Sequence, residues 1–201
     1  MHAKTFAPTS LAWAVSVALA SSSAWAMHET VVEVSVPLER QSAFSVTPAQ
    51  ARAELEKTPG GVTVVDARDY LNGRAGTMDD TLKLAPGVFI QSRFGSDEAR
   101  VSIRGSGLQR TFHGRGLMLL QDGVPLNLAD GGFDMQAVEP GATRYVEVQR
   151  GANALRYGNS TLGGAINYLS QTGRSAPALL LRAETGSFDY QRYQLAAGGE
   201  H

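Results

Sequence analysis

The sequence predicts an α+β domain, a small mixed β-sheet with short helices, followed by a tail of one or two longer strands. Three observations carry this. Short β-rich runs and helical runs alternate between about 45 and 172, glycine-bearing polar loops separate them, and two longer strand-like runs follow at 178–186 and 190–198. Glycine accounts for 22 of 201 residues, above the usual share of about 7%, so tight turns and close backbone approaches should be common. The absence of cysteine excludes a disulfide framework and a thiolate metal cluster. A formal net charge of -1 leaves nucleic-acid binding without an electrostatic basis.

Taken in order, His2 and Lys4 precede an uncharged run from Leu11 to Ala20, and Ala24-Trp25-Ala26 presents small residues for signal-peptidase cleavage. Residues 1–26 therefore read as a secretory signal, the apolar run being about half the ~20 residues of a bilayer-spanning helix. Glu29 to Val36 is β-branched and extended, and Pro37 stops it. This segment and a linker occupy 27–44. Thr47-Pro48 opens a helix that runs to about Lys57, where Pro59-Gly60-Gly61 breaks it. Val62 to Val65 is a buried-type strand, and a second helix spans about Met78 to Leu84, with Thr77 as its cap and Ala85-Pro86-Gly87 as its end.

Further strands are predicted at Val88 to Gln91, Arg100 to Ile103, Leu117 to Gln121, Arg144 to Gln149 and Ala165 to Leu169. Loops at 92–99 and 104–116 separate the first three, and Asp122-Gly123 is a turn signal. The domain thus covers 45–172 and the tail 173–201. In the tail, two runs flank Gly186-Ser187-Phe188-Asp189, each close to the roughly 9–11 residues of a tilted membrane-crossing strand.

Four motifs now stand in order: Leu82-Lys83-Leu84-Ala85-Pro86-Gly87-Val88; Ile103-Arg104-Gly105-Ser106-Gly107; Asp122-Gly123-Val124-Pro125-Leu126; and Val146 to Gly151, continuing through Tyr157-Gly158 to Gly163-Gly164-Ala165-Ile166-Asn167. This series resembles the plug of TonB-dependent outer-membrane receptors over about residues 29 to 198. Arg110-Thr111 and Arg156-Tyr157-Gly158 resemble the ferric-dicitrate branch. Ala152 replaces the family's usual proline, and Ser170-Gln171 its usual Thr-Lys.

The resemblance implies an outer-membrane location and energy-coupled uptake of a scarce nutrient, a ferric siderophore or ferric dicitrate; no nucleophile-base pair or histidine-carboxylate cluster with ligand spacing stands in the sequence, so no enzymatic activity, metal site or cofactor is expected. Glu29, Thr30, Val31, Val32, Glu33 and Val34 resemble the TonB box, the strand gripped by a TonB-type energy-coupling protein. Out of context such a run is more often an ordinary edge strand or frayed terminus; its position between the signal and the plug motifs reverses that preference. Arg104 and Arg150 resemble the latch that pairs with carboxylates of the barrel wall, and with no barrel in this sequence they should be unpaired or paired locally.

Loops at 92–99, 106–116 and 127–134 would face the ligand, with Arg93, Arg110, His113, Arg115 and Asp130 as candidate contacts. A plugged barrel needs about 22 strands, so the chain reads as the N-terminal part of such a receptor, with 173–201 as the start of a truncated barrel. The alternatives are a stand-alone periplasmic plug that binds a chelate or the coupling protein, and a non-functional remnant of a truncated gene.

Overall fold

The computed structural model describes residues 30–36, 46–93, 98–107, 115–158 and 160–199. The signal read at 1–26 lies outside the described residues. Helix α1 (Pro48–Glu56) begins as predicted: the Thr47 hydroxyl accepts from the Gln50 N–H while the Gln50 side chain accepts from the Thr47 N–H. The strand of the apolar run Val62 to Val65 extends by one residue to Asp66, giving β2 (Val62–Asp66).

Asp66 also starts a helix that periodicity did not reveal. Its carboxylate accepts from the Arg68 N–H and caps α2 (Ala67–Leu71), which at five residues is too short to display a helical period. Helix α3 (Met78–Leu82) stops two residues before the predicted end, with Lys83 at its C-cap. The Asp80 carboxylate organises the approach to it, accepting from the N–H groups of Gly76 and Thr77 and from the Thr77 hydroxyl.

Strands β3 (Val88–Arg93) and β4 (Glu98–Ile103) form a separate antiparallel pair. Strands β5 (Leu117–Gln121) and β6 (Val124–Pro125) flank Asp122 and Gly123, both at positive φ (52° and 80°), the two-residue turn that Asp-Gly predicts. Strands β7 (Thr143–Arg150) and β8 (Gly164–Ser170) are joined through a 3-10 helix at Gly151–Tyr157. Together they make a five-stranded sheet in the order β2-β7-β8-β5-β6, parallel only between β5 and β8. The sheet is mixed, as the sequence predicts.

Alternation along these strands sends side chains to two covered faces. Val146, Val148, Ile166, Tyr168, Leu117 and Leu119 pack with Tyr70, Met78, Leu82 and Phe133 in the main core. On the other face Met118, Leu120 and Ala165 meet Ala154 of the 3-10 helix, and Val64 and Tyr145 meet Ala51 of α1. Two-sided cover explains why Leu117 to Leu120 reads as an unbroken apolar run.

Strands β9 (Leu179–Thr185) and β10 (Gln191–Ala196) form an antiparallel hairpin turned by Phe188 and Asp189, both at φ 59°. Its polarity is inverted relative to a water-soluble sheet. Arg182 and Glu184 are buried against the domain, with Arg192 and Gln194 partly so, whereas Leu179, Leu181, Tyr193 and Leu195 are exposed on the opposite face.

Strand β1 (Thr30–Val36) takes the edge-strand alternative: it pairs antiparallel with β9 along its whole length, Val32 opposite Ala183. An open strand edge offers unpaired N–H and C=O groups, and an extended β-branched segment fills it.

One close approach links two of the motifs. A methyl group at Gly163 would lie 2.5 Å from the Ser106 Cβ and 2.7 Å from the Ile103 carbonyl oxygen. Gly163→Ala should therefore cost about 1–3 kcal/mol by overpacking, measured by urea unfolding. Gly73→Ala, whose added carbon would meet nothing nearer than 3.9 Å, should stay within about 0.5 kcal/mol.

Candidate functional site

At the end of β4 the chain reverses over Arg104 and Gly105, both at positive φ (52° and 84°), while Ile103 and Ser106 exchange main-chain hydrogen bonds in both directions. That tight turn throws the Arg104 side chain outward. At the end of β7, Arg150 leads into the 3-10 helix and reaches back across the start of β2. Its guanidinium donates to the Thr63 hydroxyl at 2.9 Å, the Pro86 carbonyl at 2.7 Å and the Val62 carbonyl at 3.4 Å. The Arg104 guanidinium lies against Gly151, where a side chain would collide with it.

The two arginines thus meet at one corner of the sheet, drawn from motifs 46 residues apart in sequence. Burial, helped by the neighbouring Arg104 charge, pushes the Arg150 guanidinium below its ordinary pKa. Among the described residues no carboxylate forms an ion pair with either. Arg150 is paired locally through neutral acceptors, and Arg104 carries no hydrogen bond among the described residues. The exposed Arg104 guanidinium, standing beside an Arg150 whose donors are largely taken by neutral acceptors, is suited to an incoming carboxylate.

The ligand-facing candidates divide. Arg110 and His113 lie outside the described residues. Arg93 ends β3 in register with Glu98. Arg115 and Asp130 pair with one another in a 3.0 Å ion pair. Sequence reasoning missed Asn127, which holds this loop: its side chain accepts from the Leu119 N–H and donates to the carbonyls of Leu117 and Gly131. Of the candidate TonB-box residues, Thr30 to Val34 lie in β1, and Glu29 lies outside the described residues.

The motif order, the sheet and the paired-arginine corner converge with a family model. The TonB-dependent receptor plug domain matches residues 54–165, over half of the chain. The chain belongs to the TonB-dependent receptor plug family. A hemin receptor of Yersinia enterocolitica is 32% identical over 145 residues, covering 72% of this chain and 20% of that protein. A hemin receptor of Yersinia pestis is 29% identical over 192 residues, covering 96% of this chain and 26% of that protein.

The crystal structure of the ferric yersiniabactin uptake receptor FyuA from Yersinia pestis superposes with a TM-score of 0.53 at 25% identity, over 69% of this chain and 21% of that one. The chain spans about a fifth to a quarter of the length of the curated relatives it matches. The α+β plug fold read from the motifs is therefore the observed one.

Within the plug, Glu147 of the fourth motif pairs across β7 and β8 with Asn167. Burial raises its carboxyl pKa above the ordinary value, outweighing the Asn167 hydrogen bond and the Arg156 charge that oppose it. A carboxyl raised in the folded state penalises folding while it is ionised. The penalty disappears as pH falls through the folded pKa. Glu147→Gln should accordingly raise the melting temperature at pH 7, with the gain vanishing at pH values below the ordinary carboxyl range, as read by thermal melts across pH. Arg150→Met should cost about 1–3 kcal/mol through its lost charge-assisted hydrogen bonds, whereas Arg104→Met should stay within about 0.5 kcal/mol in chemical denaturation.

Proposed function

We propose that this chain is the plug and first barrel hairpin of an outer-membrane receptor for energy-coupled uptake of an iron chelate. The observation that carries the reading is the inverted hairpin. Its charged face is turned to the plug and its apolar face is turned away, the arrangement expected where lipid, not water, lies outside a barrel. In this reading the Arg104 and Arg150 corner receives carboxylates of the barrel wall, and residues 29–34 are handed to a TonB-type coupling protein by strand addition. The pairing of β1 along β9 supports the second point, because it shows the segment satisfying its main chain on an open sheet edge.

The cargo class rests on the relatives. Two are named hemin receptors and one a ferric yersiniabactin uptake receptor, so hemin, ferric siderophores and ferric dicitrate are the chelates to compare. Loop residues Arg93, Arg110, His113, Arg115 and Asp130 are the candidate contacts.

Binding of the chain to a purified periplasmic domain of a TonB-type protein tests the coupling role. Val32→Pro, which removes a main-chain donor and stiffens the strand, should weaken it at least about tenfold, the effect of losing one to two hydrogen bonds. Equal affinity for wild type and variant would remove the strand-addition role. Titration with hemin, ferric dicitrate and a catecholate chelate assigns the cargo, and resistance of the membrane-bound chain to alkaline carbonate extraction separates a membrane-embedded hairpin from a free periplasmic plug.

A further inference from the structure

The inward face of the hairpin carries a cluster that none of the plug motifs accounts for. Arg182 is wholly enclosed: its Nε bonds the Glu184 carboxylate at 2.6 Å, and its two terminal nitrogens donate to the main-chain carbonyls of Leu71 and Gly73 at 2.5 Å and 2.6 Å. The other Glu184 oxygen accepts from the Tyr190 hydroxyl at 2.9 Å. On the neighbouring strand, Arg192 donates to the Ala75 carbonyl and to the Glu139 carboxylate, and Gln194 donates to the Gly141 carbonyl. Three successive odd-numbered carbonyls at the end of α2 are thereby taken by two guanidinium groups.

A second, independent observation shows how closely the surfaces fit. Two plug glycines, Gly76 and Gly141, lie directly under these side chains. A carbon added at Gly141 would lie 2.9 Å from the Gln194 side chain, and one at Gly76 would lie 3.3 Å from the Tyr190 hydroxyl. The turn from Leu71 to Thr77 is meanwhile held from its plug side by Asp80, which binds Gly76, Thr77 and Arg74.

We propose that Arg182, Glu184 and Arg192 form a second plug anchor of opposite sense to the Arg104 and Arg150 corner. Here the hairpin supplies the guanidinium groups, and the plug supplies the main-chain carbonyls of 71–75 and the Glu139 carboxylate. The two anchors sit at opposite ends of β7, because Glu139 to Ala142 lead into its first residue, Thr143, and Arg150 is its last. Eight residues of strand separate them by about 23 Å at ~3.3 Å per residue. The sheet is thus tethered at both ends, by plug arginines reaching out at one and hairpin arginines reaching in at the other. Because the second anchor reads mostly main chain, it tolerates changes in the plug side chains at 71–75 and fails when Gly76 or Gly141 gains bulk.

This rests on the reading of 179–196 as a membrane hairpin, so the test has two arms in the full chain reconstituted in phosphatidylcholine vesicles. In the first, hydrogen exchange is followed at the amides of Gly73, Gly76 and Thr77 and at the core amides of Val146, Val148 and Ile166. Arg192→Met and Gly141→Leu should speed exchange in the turn about tenfold to a hundredfold, the range for losing charge-assisted hydrogen bonds, while the core amides keep their protection. Arg182→Met should do the same, and if it does not fold the other two variants decide.

Unchanged turn exchange, or equal acceleration of turn and core, overturns the anchor. In the second arm, Leu195→Cys should resist a water-soluble maleimide. Full reactivity there, with selective loss of turn protection in the first arm, would overturn the membrane reading and leave the anchor standing.

Discussion

The packing of the hairpin on the plug depends on one enclosed ion pair. Arg182 and Glu184 have side chains 1% and 0% exposed, and an enclosed charge without a partner costs about 3–5 kcal/mol. The structure avoids that cost by giving each charge several partners: two carbonyls and a carboxylate for Arg182, an arginine and a tyrosine for Glu184. Such a pair constrains geometry more than it stabilises. If the 71–75 turn moves, two guanidinium groups lose their acceptors at once, so α2, the turn and the hairpin are positioned together.

The plug motifs share a similar logic of close approach. Gly163 lies against Ile103 and Ser106, and Gly151 lies under Arg104, so the second and fourth motifs are in contact although they are far apart in sequence. The contact brings Arg104 beside Arg150. Repulsion between them is tolerated because Arg104 remains exposed to water and Arg150 spends its donors on Thr63, Pro86 and Val62. Among the described residues this corner holds no carboxylate partner.

Legibility in the sequence followed the range of the interaction involved. Helix α1 was readable because Thr47-Pro48 places a capping hydroxyl and a first-turn proline side by side, and the β5 to β6 turn because Asp122-Gly123 encodes positive φ locally. Helix α2 was not, since its cap is the last residue of a strand and its length gives no period. Arg104 and Arg150 were identifiable from their motifs, yet their adjacency was not, because it depends on Gly151 and on the return of β7 beside β2. Arg115 and Asp130 looked like separate loop charges and proved to be each other's partner.

By itself the sequence determined most of the strands, helices α1 and α3, the Asp122-Gly123 turn, the motif order that assigns the plug family, and the two strand-like runs of the tail. All of these are set by neighbours within a few residues, where backbone preference and side-chain period act directly. Tertiary structure alone decided which face of the hairpin is enclosed, which carbonyls its arginines take, and that β1 lies on the edge of β9. Those outcomes depend on partners more than a hundred residues away, such as Leu71 for Arg182. The choice is made by desolvation: a buried guanidinium must find acceptors, and only the folded chain brings those carbonyls within reach.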